Sequence, residues 1–120
     1  GIFGNFGQSN YASAKMGLIG LMNVLVLEGA SKGIKVNTLA PGALTRMTES
    51  LQDTNRQGRP EQVSPDVLSL CSEEAPQGVI LQAPDGRFSR IRLNIGEAVD
   101  LGPEVTFEDL MSVRHELGLD

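Results

Sequence analysis

Residues 9–31 constrain the fold of this chain more than any other segment, because they form a long proline-free run that is apolar on almost every helical face. The pattern predicts one continuous helix over these residues. Gly33 is expected to end it, since glycine readily adopts the left-handed conformation found at helix C-termini. A helix that is apolar nearly all round is buried on more than one side. We therefore expect other elements to cover it.

A short β-branched run follows the helix. Residues 34–39 are typical of a buried parallel strand. The sequence Ala40-Pro41-Gly42-Ala43 is predicted to break that strand at its C-terminal end, which is where ligands bind in open α/β sheets. Pro41 lacks a backbone donor and Gly42 permits close backbone approach, so both residues suit a loop that lies against a ligand.

Near the start of the predicted helix, Tyr11 and Lys15 stand four positions apart. Residues at this spacing share a helical face, so both side chains can address one pocket. A lysine charge about 5 Å from a phenol favours the phenolate by roughly 3 kcal/mol at an effective dielectric of about 20. Such a tyrosine can exchange a proton with an alcohol or carbonyl oxygen. The bare spacing is weak evidence, because helices carry such pairs by chance.

The flanking residues make the signal specific. Residues 4–21, which read Gly-Asn-Phe-Gly-Gln-Ser-Asn-Tyr-Ala-Ser-Ala-Lys-Met-Gly-Leu-Ile-Gly-Leu, resemble the active-site helix of short-chain dehydrogenases/reductases. Residues 33–45, from Gly-Ile-Lys-Val-Asn to Pro-Gly-Ala-Leu-Thr, resemble that family's sixth strand and its Pro-Gly cofactor loop. The remainder is similar to the dehydrogenase unit of peroxisomal multifunctional beta-oxidation enzymes and their bacterial relatives.

The resemblance implies an α/β fold: the C-terminal part of a doubly wound, Rossmann-like parallel sheet, with a C-terminal hairpin and helix. Residues 1–120 are then the C-terminal portion of one dehydrogenase domain. The family's glycine-rich phosphate loop and the serine that precedes its tyrosine have no counterpart in this sequence. Gly1, Gly4 and Gly7 lack a preceding strand and have the wrong spacing for a dinucleotide fingerprint, so we expect a flexible loop there.

The resemblance also implies an activity, which is hydride transfer between NAD or NADP and a hydroxyl or keto group. A 3-hydroxyacyl thioester is the first substrate to consider. Tyr11 would be the general acid/base, and Lys15 would assist it and hold the nicotinamide ribose. The remaining residues implied at the nicotinamide end of the cofactor are Pro41, Gly42, Ala43 and Thr45.

Two interpretations of the long helix remain open. The corresponding helix of the family packs on the sheet with one face and on a partner subunit with another, which implies a homo-oligomer through residues 9–31. A plain core helix is the alternative. A hypothesis of another class is that the chain is a truncated, non-catalytic fragment whose remaining capacity is self-association through this helix.

Composition excludes several functions. A net charge of −5 without clustered basic residues argues against nucleic acid as a partner. The longest apolar stretch, 18–27, is interrupted and predicted to be too short for a membrane span. A single cysteine fits a reducing compartment, so we expect a cytoplasmic protein, or a peroxisomal one in a eukaryote. Cys71 is predicted to be a buried structural thiol and His115 a surface residue, and with one of each no metal site is expected.

The second half of the chain carries the signals of helices and a hairpin. Pro65 interrupts an otherwise helical stretch, which predicts a short turn followed by a longer helix. Asp-Gly between two strand-like runs predicts a hairpin. The predicted elements are a helical stretch at 60–74, strands at 78–83 and 88–93 joined by Pro84-Asp85-Gly86, and a helix at 107–117 between Thr106 and Gly118.

Overall fold

A computed structural model of the chain describes residues 2–4, 6–42, 59–84 and 86–119. These residues form three α-helices, three strands and two short 3-10 turns. The elements are α1 (Ser9–Gly29) followed by a 3-10 turn (Ala30–Lys32), β1 (Thr38–Gly42), a second 3-10 turn (Pro60–Val63), α2 (Ser64–Cys71), β2 (Ile80–Pro84), β3 (Ser89–Ile91) and α3 (Phe107–Ser112).

The long helix is confirmed. α1 runs without interruption and its 3-10 turn extends it to Lys32, one residue beyond the predicted end. Gly33 follows with a φ of 67°, and its N–H donates to the carbonyl of Ala30. The predicted glycine terminus is therefore confirmed, since a left-handed residue at this position costs glycine no steric strain.

The three described strands form one mixed sheet in the order β1-β2-β3. β1 pairs with β2 in parallel, with Thr38 opposite Ile80. β2 and β3 are antiparallel, with Ile80 opposite Ile91, which confirms the predicted hairpin. Its strands are shorter than the sequence pattern indicates, since β3 pairs over three residues only.

The bounds predicted for β1 are wrong. The strand begins at Thr38 instead of residue 34, and it contains Pro41 and Gly42, which were expected to break it. Proline is tolerated because β1 is an edge strand of the described sheet, where a missing N–H on the outer side breaks no ladder bond. Gly42 suits the close packing of β1 on β2, because a Cβ at this position would lie 3.0 Å from the Cβ of Pro84.

Side-chain amides hold the segment before β1 in place of a strand ladder. Asn37 donates from Nδ2 to the Pro76 carbonyl (2.8 Å), and its Oδ1 accepts from the Val79 N–H (3.0 Å). Gln77 Oε1 accepts from the Val36 N–H at 3.0 Å. We call Asn37 and Gln77 the amide clasp. It joins the entry of β1 to the entry of β2, which explains why regular pairing starts only at Thr38.

A small core lies between α1 and the sheet. Its buried side chains are Ile19, Met22 and Ile80, and the partly buried residues packed on them are Ile2, Val26, Val36 and Ile91. The Thr38 hydroxyl donates to the sulfur of Met22 at 3.1 Å, which ties the start of β1 to the helix.

Only one side of α1 is buried among the described residues, so the prediction of burial on several sides is wrong for this chain. The large apolar side chains of α1 that remain exposed are Met16, Leu18, Leu21, Val24, Leu25 and Leu27. With its 3-10 turn, α1 is also long and apolar enough to cross a membrane, by length and composition alone. This corrects the prediction, made from residues 18–27, that the apolar stretch is too short for a membrane span. Core helices of soluble proteins meet the same criterion.

α2 begins as predicted, with Pro65 in its first turn after a separate 3-10 turn. It ends at Cys71, whose thiol is exposed, so the prediction of a buried cysteine is wrong. The buried residue of α2 is Asp66. Five positions at about 100° each place Cys71 roughly 140° around the helix from Asp66, on a different face. The Oδ2 atom of Asp66 is buried without a hydrogen-bond partner among the described residues.

α3 starts with the predicted Thr106 cap. The Asp109 N–H donates to Thr106 Oγ1 (3.2 Å), and the Thr106 N–H donates to Asp109 Oδ2 (2.9 Å), which is a capping box. The helix ends at Ser112, five residues earlier than predicted. Residues 113–118 form turns instead, and His115 is exposed, as expected.

Candidate active site

Tyr11 and Lys15 lie on one face of the first two turns of α1. The Lys15 ammonium nitrogen is 5.6 Å from the centroid of the Tyr11 ring, within the range of a cation–π contact. The prediction that both side chains share a face is therefore confirmed. Tyr11 is half exposed, so its phenol is accessible to a ligand.

A cavity of about 200 Å³ opens beside this pair, and we call it the Tyr11–Lys15 cavity. α1 forms one wall and β1 the other. The residues that line it are Ile2, Tyr11, Lys15, Leu18, Ile19, Thr38, Leu39, Ala40 and Pro41.

The chain direction explains this meeting of elements. The N-terminal turns of α1 line one cavity with residues 40 and 41, whereas Leu25 lines another with Val36, so the helix runs antiparallel to β1. The start of the helix therefore meets the C-terminal end of the strand. That is the end of a parallel sheet where ligands bind.

The predicted site residues are only partly brought together. Tyr11, Lys15 and Pro41 line the cavity, whereas Gly42 is not among its lining residues and packs against β2. Ala43 and Thr45 lie outside the described residues.

Sequence reasoning missed several wall residues. Leu18 follows Tyr11 and Lys15 at the i+7 position of the same helical face, so helical periodicity would have found it. Thr38 and Leu39 fall inside the predicted strand 34–39, but only residues after that strand were predicted to contact a ligand. Ile2 precedes the predicted helix, and no local pattern marks it.

The cavity combines two polar groups with an apolar wall. The phenol can donate or accept a proton, and the ammonium carries a fixed charge and three hydrogen-bond donors. The Thr38 hydroxyl is already engaged with Met22. Within the described residues no group of three His, Cys, Asp or Glu side chains is placed to hold a metal ion. The chemistry available to these side chains is therefore proton transfer and binding of hydroxyl groups.

Comparison with known proteins identifies the family. The family profile described as short chain dehydrogenase matches residues 1–57. A short-chain type dehydrogenase/reductase of Mycobacterium tuberculosis is 44% identical over 110 residues, which are 88% of this chain and 38% of that protein. The chain belongs to the short-chain dehydrogenase/reductase family. The resemblance inferred from residues 4–21 and 33–45 is thus confirmed.

Other short-chain dehydrogenases/reductases support the same assignment. The 3-oxoacyl-[acyl-carrier-protein] reductase of Salmonella typhimurium is 43% identical over 89 residues, covering 73% of this chain and 36% of that protein. The full-length peroxisomal multifunctional enzyme type 2 of Drosophila melanogaster superposes with a TM-score of 0.76 at 32% identity, over 97% of this chain and 22% of that one. The predicted α/β, Rossmann-like fold class is confirmed. The chain spans well under half the length of these relatives.

Proposed function

We propose that this chain provides the proton-transfer groups and the nicotinamide end of an NAD(P)-dependent oxidoreductase site. The observation that carries the proposal is the meeting of Tyr11, Lys15 and Pro41 around one cavity at the C-terminal end of a parallel strand. A proton donor and a cation share a small, largely apolar space there. That combination suits the interconversion of an alcohol and a carbonyl group.

The lining residues fit the nicotinamide end of the cofactor by their chemistry. Lys15 offers donors for ribose hydroxyls, and Ala40 and Pro41 present an apolar wall for a planar ring. When bound, the cofactor supplies or accepts the hydride. Ala43 and Thr45 remain proposed contacts on the strength of the family motif alone.

Tyr11 performs the proton step in this proposal. In the reducing direction its phenol gives a proton to the substrate oxygen, and in the oxidising direction the phenolate takes one from the substrate hydroxyl. The Lys15 ammonium lies 5.6 Å from the centroid of the Tyr11 ring, so both groups can reach one bound ligand. The apolar wall formed by Leu18, Ile19 and Leu39 limits water around the reacting oxygen.

The substrate we propose is a small molecule with a hydroxyl or keto group, and a 3-hydroxyacyl or 3-oxoacyl thioester is the first class to test. Support comes from the similarity to a 3-oxoacyl-[acyl-carrier-protein] reductase. Self-association through α1 is a second capacity that we propose. The observation that favours it is the exposed apolar side of the helix away from the core, which carries Val24 and Leu27.

The test uses a chimaera in which this chain replaces the matching part of the Mycobacterium tuberculosis relative. Tyr11→Phe in the chimaera should abolish NAD(P)-dependent turnover of a 3-oxoacyl thioester and leave the cofactor Kd within about twofold, because it removes only the transferable proton. Lys15→Met should reduce turnover and weaken cofactor binding together.

Ser13→Ala is the matched control. Its hydroxyl bonds the Ser9 carbonyl within α1 and does not line the cavity, so kcat should remain near the unmodified value. Wild-type turnover in the Tyr11→Phe chimaera would show that Tyr11 is not the acid/base.

A further inference from the structure

A second cavity lies between the middle of α1 and the end of the hairpin, where the chain leaves β3. We call it the hairpin cavity. Its volume is about 320 Å³, and the buried core residues Ile19, Met22 and Ile80 line it. Small-molecule sites have volumes of roughly 300–1,000 Å³ and combine an apolar surface with a few polar groups. The hairpin cavity is therefore large enough for a small ligand and has an apolar surface to hold it.

Two arginines line the same cavity, one on each side of Ile91, the last residue of β3. Arg90 and Arg92 are both exposed, and in the part of the chain that the structure describes neither guanidinium has a hydrogen bond or an ion pair. β3 is an outer strand of the described sheet. An arginine stem can lie along apolar surface at such an edge while its charged head stays in water. Both guanidinium groups are thus available to one ligand.

The charge around the cavity is opposite in sign to that of the whole chain. Residues 86–96 contain three arginines, Arg87, Arg90 and Arg92, and no acidic residue, whereas the net charge of the chain is −5. Each guanidinium offers five hydrogen-bond donors in a planar arrangement that matches carboxylate or phosphate oxygens. An anion is therefore the class of ligand that this side of the cavity favours.

α1 contributes a polar group from the other wall. Asn23 is the only polar residue within the apolar run 16–27, and it lines the hairpin cavity. Its side-chain amide forms no hydrogen bond with another described residue. The amide has two N–H donors. Donors from α1 and from the end of the hairpin thus border one apolar space.

We propose that the hairpin cavity binds a small phosphate monoester. Its phosphate group would be held by Arg90 and Arg92, and its apolar body would lie against Leu93, which lines the cavity and is 56% exposed. A phosphate monoester carries a charge of about −1.5 to −2 near pH 7 and three acceptor oxygens. Two guanidinium groups match that charge, whereas a carboxylate carries a single charge.

This site is separate from the Tyr11–Lys15 cavity. Of the described lining residues, Ile19 alone is common to both cavities. Lys15 and Asn23 stand eight positions apart on α1, which is about 12 Å along a helix axis. The proposal is therefore independent of the proposed activity, and a chimaera without dehydrogenase activity would leave it standing.

The experiment titrates phenyl phosphate into the ¹⁵N-labelled 120-residue chain and follows NMR spectra. The Asn23 side-chain amide and the Arg92 Nε–H should shift saturably, with a Kd below about 1 mM. Benzoate, which has the ring but a single charge, should bind at least about fivefold more weakly. Inorganic phosphate, which has no apolar body, should bind at least about threefold more weakly. Absence of saturable shifts, or equal affinity for either comparison anion, would overturn the proposal.

Arginine variants test which charges hold the phosphate. Arg90→Gln and Arg92→Gln should each weaken phenyl phosphate binding at least about fivefold, measured by calorimetry, because each removes charge-assisted hydrogen bonds. Arg87→Gln is the matched control, since this arginine belongs to the same hairpin and is not among the lining residues of the cavity. It should change the Kd by less than about twofold. Equal weakening by all three variants would mean general charge attraction and would overturn the site.

Lys15→Met separates this site from the Tyr11–Lys15 cavity. It should leave the Kd for phenyl phosphate within about twofold of the unmodified value, because the ammonium is screened at this distance. Loss of binding in this variant would place the anion beside Tyr11 and contradict the proposal. Circular dichroism checks that each variant retains its helix, and the NMR shifts of the unmodified chain need no variant.

Discussion

Tyr11 and Lys15 show how far single residues could be predicted. Their four-residue spacing fixes a common helical face in any α-helix, so the shared face follows from the sequence once the helix is assigned. The structure adds the distance of 5.6 Å from the ammonium nitrogen to the ring centroid. Cys71 shows the limit of the same approach. An apolar neighbourhood in the sequence indicated burial, but the face that α2 turns inward carries Asp66. Which face of a short helix is buried depends on distant elements, and no local pattern records it.

Asp66 is the residue whose replacement should stabilise the fold. The residue is 5% exposed, and its Oδ2 has no hydrogen-bond partner in the part of the chain that the structure describes. A buried polar atom left unsatisfied costs about 1–3 kcal/mol, whereas the favourable placement of an acid in the first helical turn contributes about 0.3–1 kcal/mol. The first effect is larger. Asp66→Leu should therefore raise the free energy of unfolding of the chimaera by about 1 kcal/mol, measured by urea denaturation.

Glu61→Leu is the control for this prediction. Glu61 also stands in a first helical turn, but it is exposed, so its replacement should leave the free energy of unfolding nearly unchanged. A loss of stability in Asp66→Leu would mean that the carboxylate has a stabilising partner.

At the scale of elements, α1, the Pro65-divided helix and the hairpin were predicted from the sequence, whereas the bounds of β1 were not. Ile34 and Val36 are β-branched and favour a strand, yet the Gln77 side chain of the amide clasp binds the Ile34 carbonyl and the Val36 N–H. Gln77 lies forty residues after Asn37, so propensity at residues 34–37 gives no sign of it. The strand was displaced by a long-range side-chain interaction, and such interactions override local preference.

The N-terminal cap of α3 should respond to acid. Hydrogen bonds from the Thr106 hydroxyl and then from the Thr106 N–H hold the pKa of the Asp109 carboxyl below its ordinary value of 3.8. Because the folded pKa is the lower one, this stabilisation is fully present above the unfolded pKa and is lost as the pH falls through the folded pKa. We expect α3 to fray only below about pH 4. NMR of its amides and of the Asp109 carboxyl carbon measures this transition.

Thr106→Val removes the hydroxyl donor and should raise the Asp109 pKa toward 3.8. The matched control is Glu108→Gln, an acidic position of the same first turn that takes no part in the capping box. An Asp109 titration midpoint at or above 3.8 in the unmodified chain would contradict the proposed cause.

The whole molecule is extended for its length. Its radius of gyration is 19.1 Å, whereas a compact domain of this size has about 14 Å. The buried core is limited to a few side chains under α1, and the outer side of that helix is exposed. The family and fold class could be predicted from the sequence because they depend on local motifs. The exposed side of α1 could not be predicted. An apolar pattern indicates which faces of a helix favour burial, but it does not show whether other residues of the chain cover those faces.

The isolated 120 residues should bind neither NADH nor NADPH measurably and should self-associate. Dinucleotide affinity in this fold depends on a pyrophosphate that rests on a helix N-terminus after a glycine-rich turn, and this sequence carries no such motif. Exposed apolar surface on α1 and the free edge of β1 favour association. Fluorescence titration with NADH tests the first expectation and light scattering the second. Saturable micromolar binding by the isolated, monomeric chain would contradict both.

The amide clasp has a consequence for the conditions under which the site keeps its form. Asn37 and Gln77 are uncharged, and all their described partners are backbone groups. Added salt therefore does not screen these bonds, and no proton equilibrium near neutrality alters them. The strand under the Tyr11–Lys15 cavity should thus keep its register across wide changes of ionic strength. Any salt dependence of ligand binding at this site can then be assigned to Lys15 itself, because the wall that faces it stays in place.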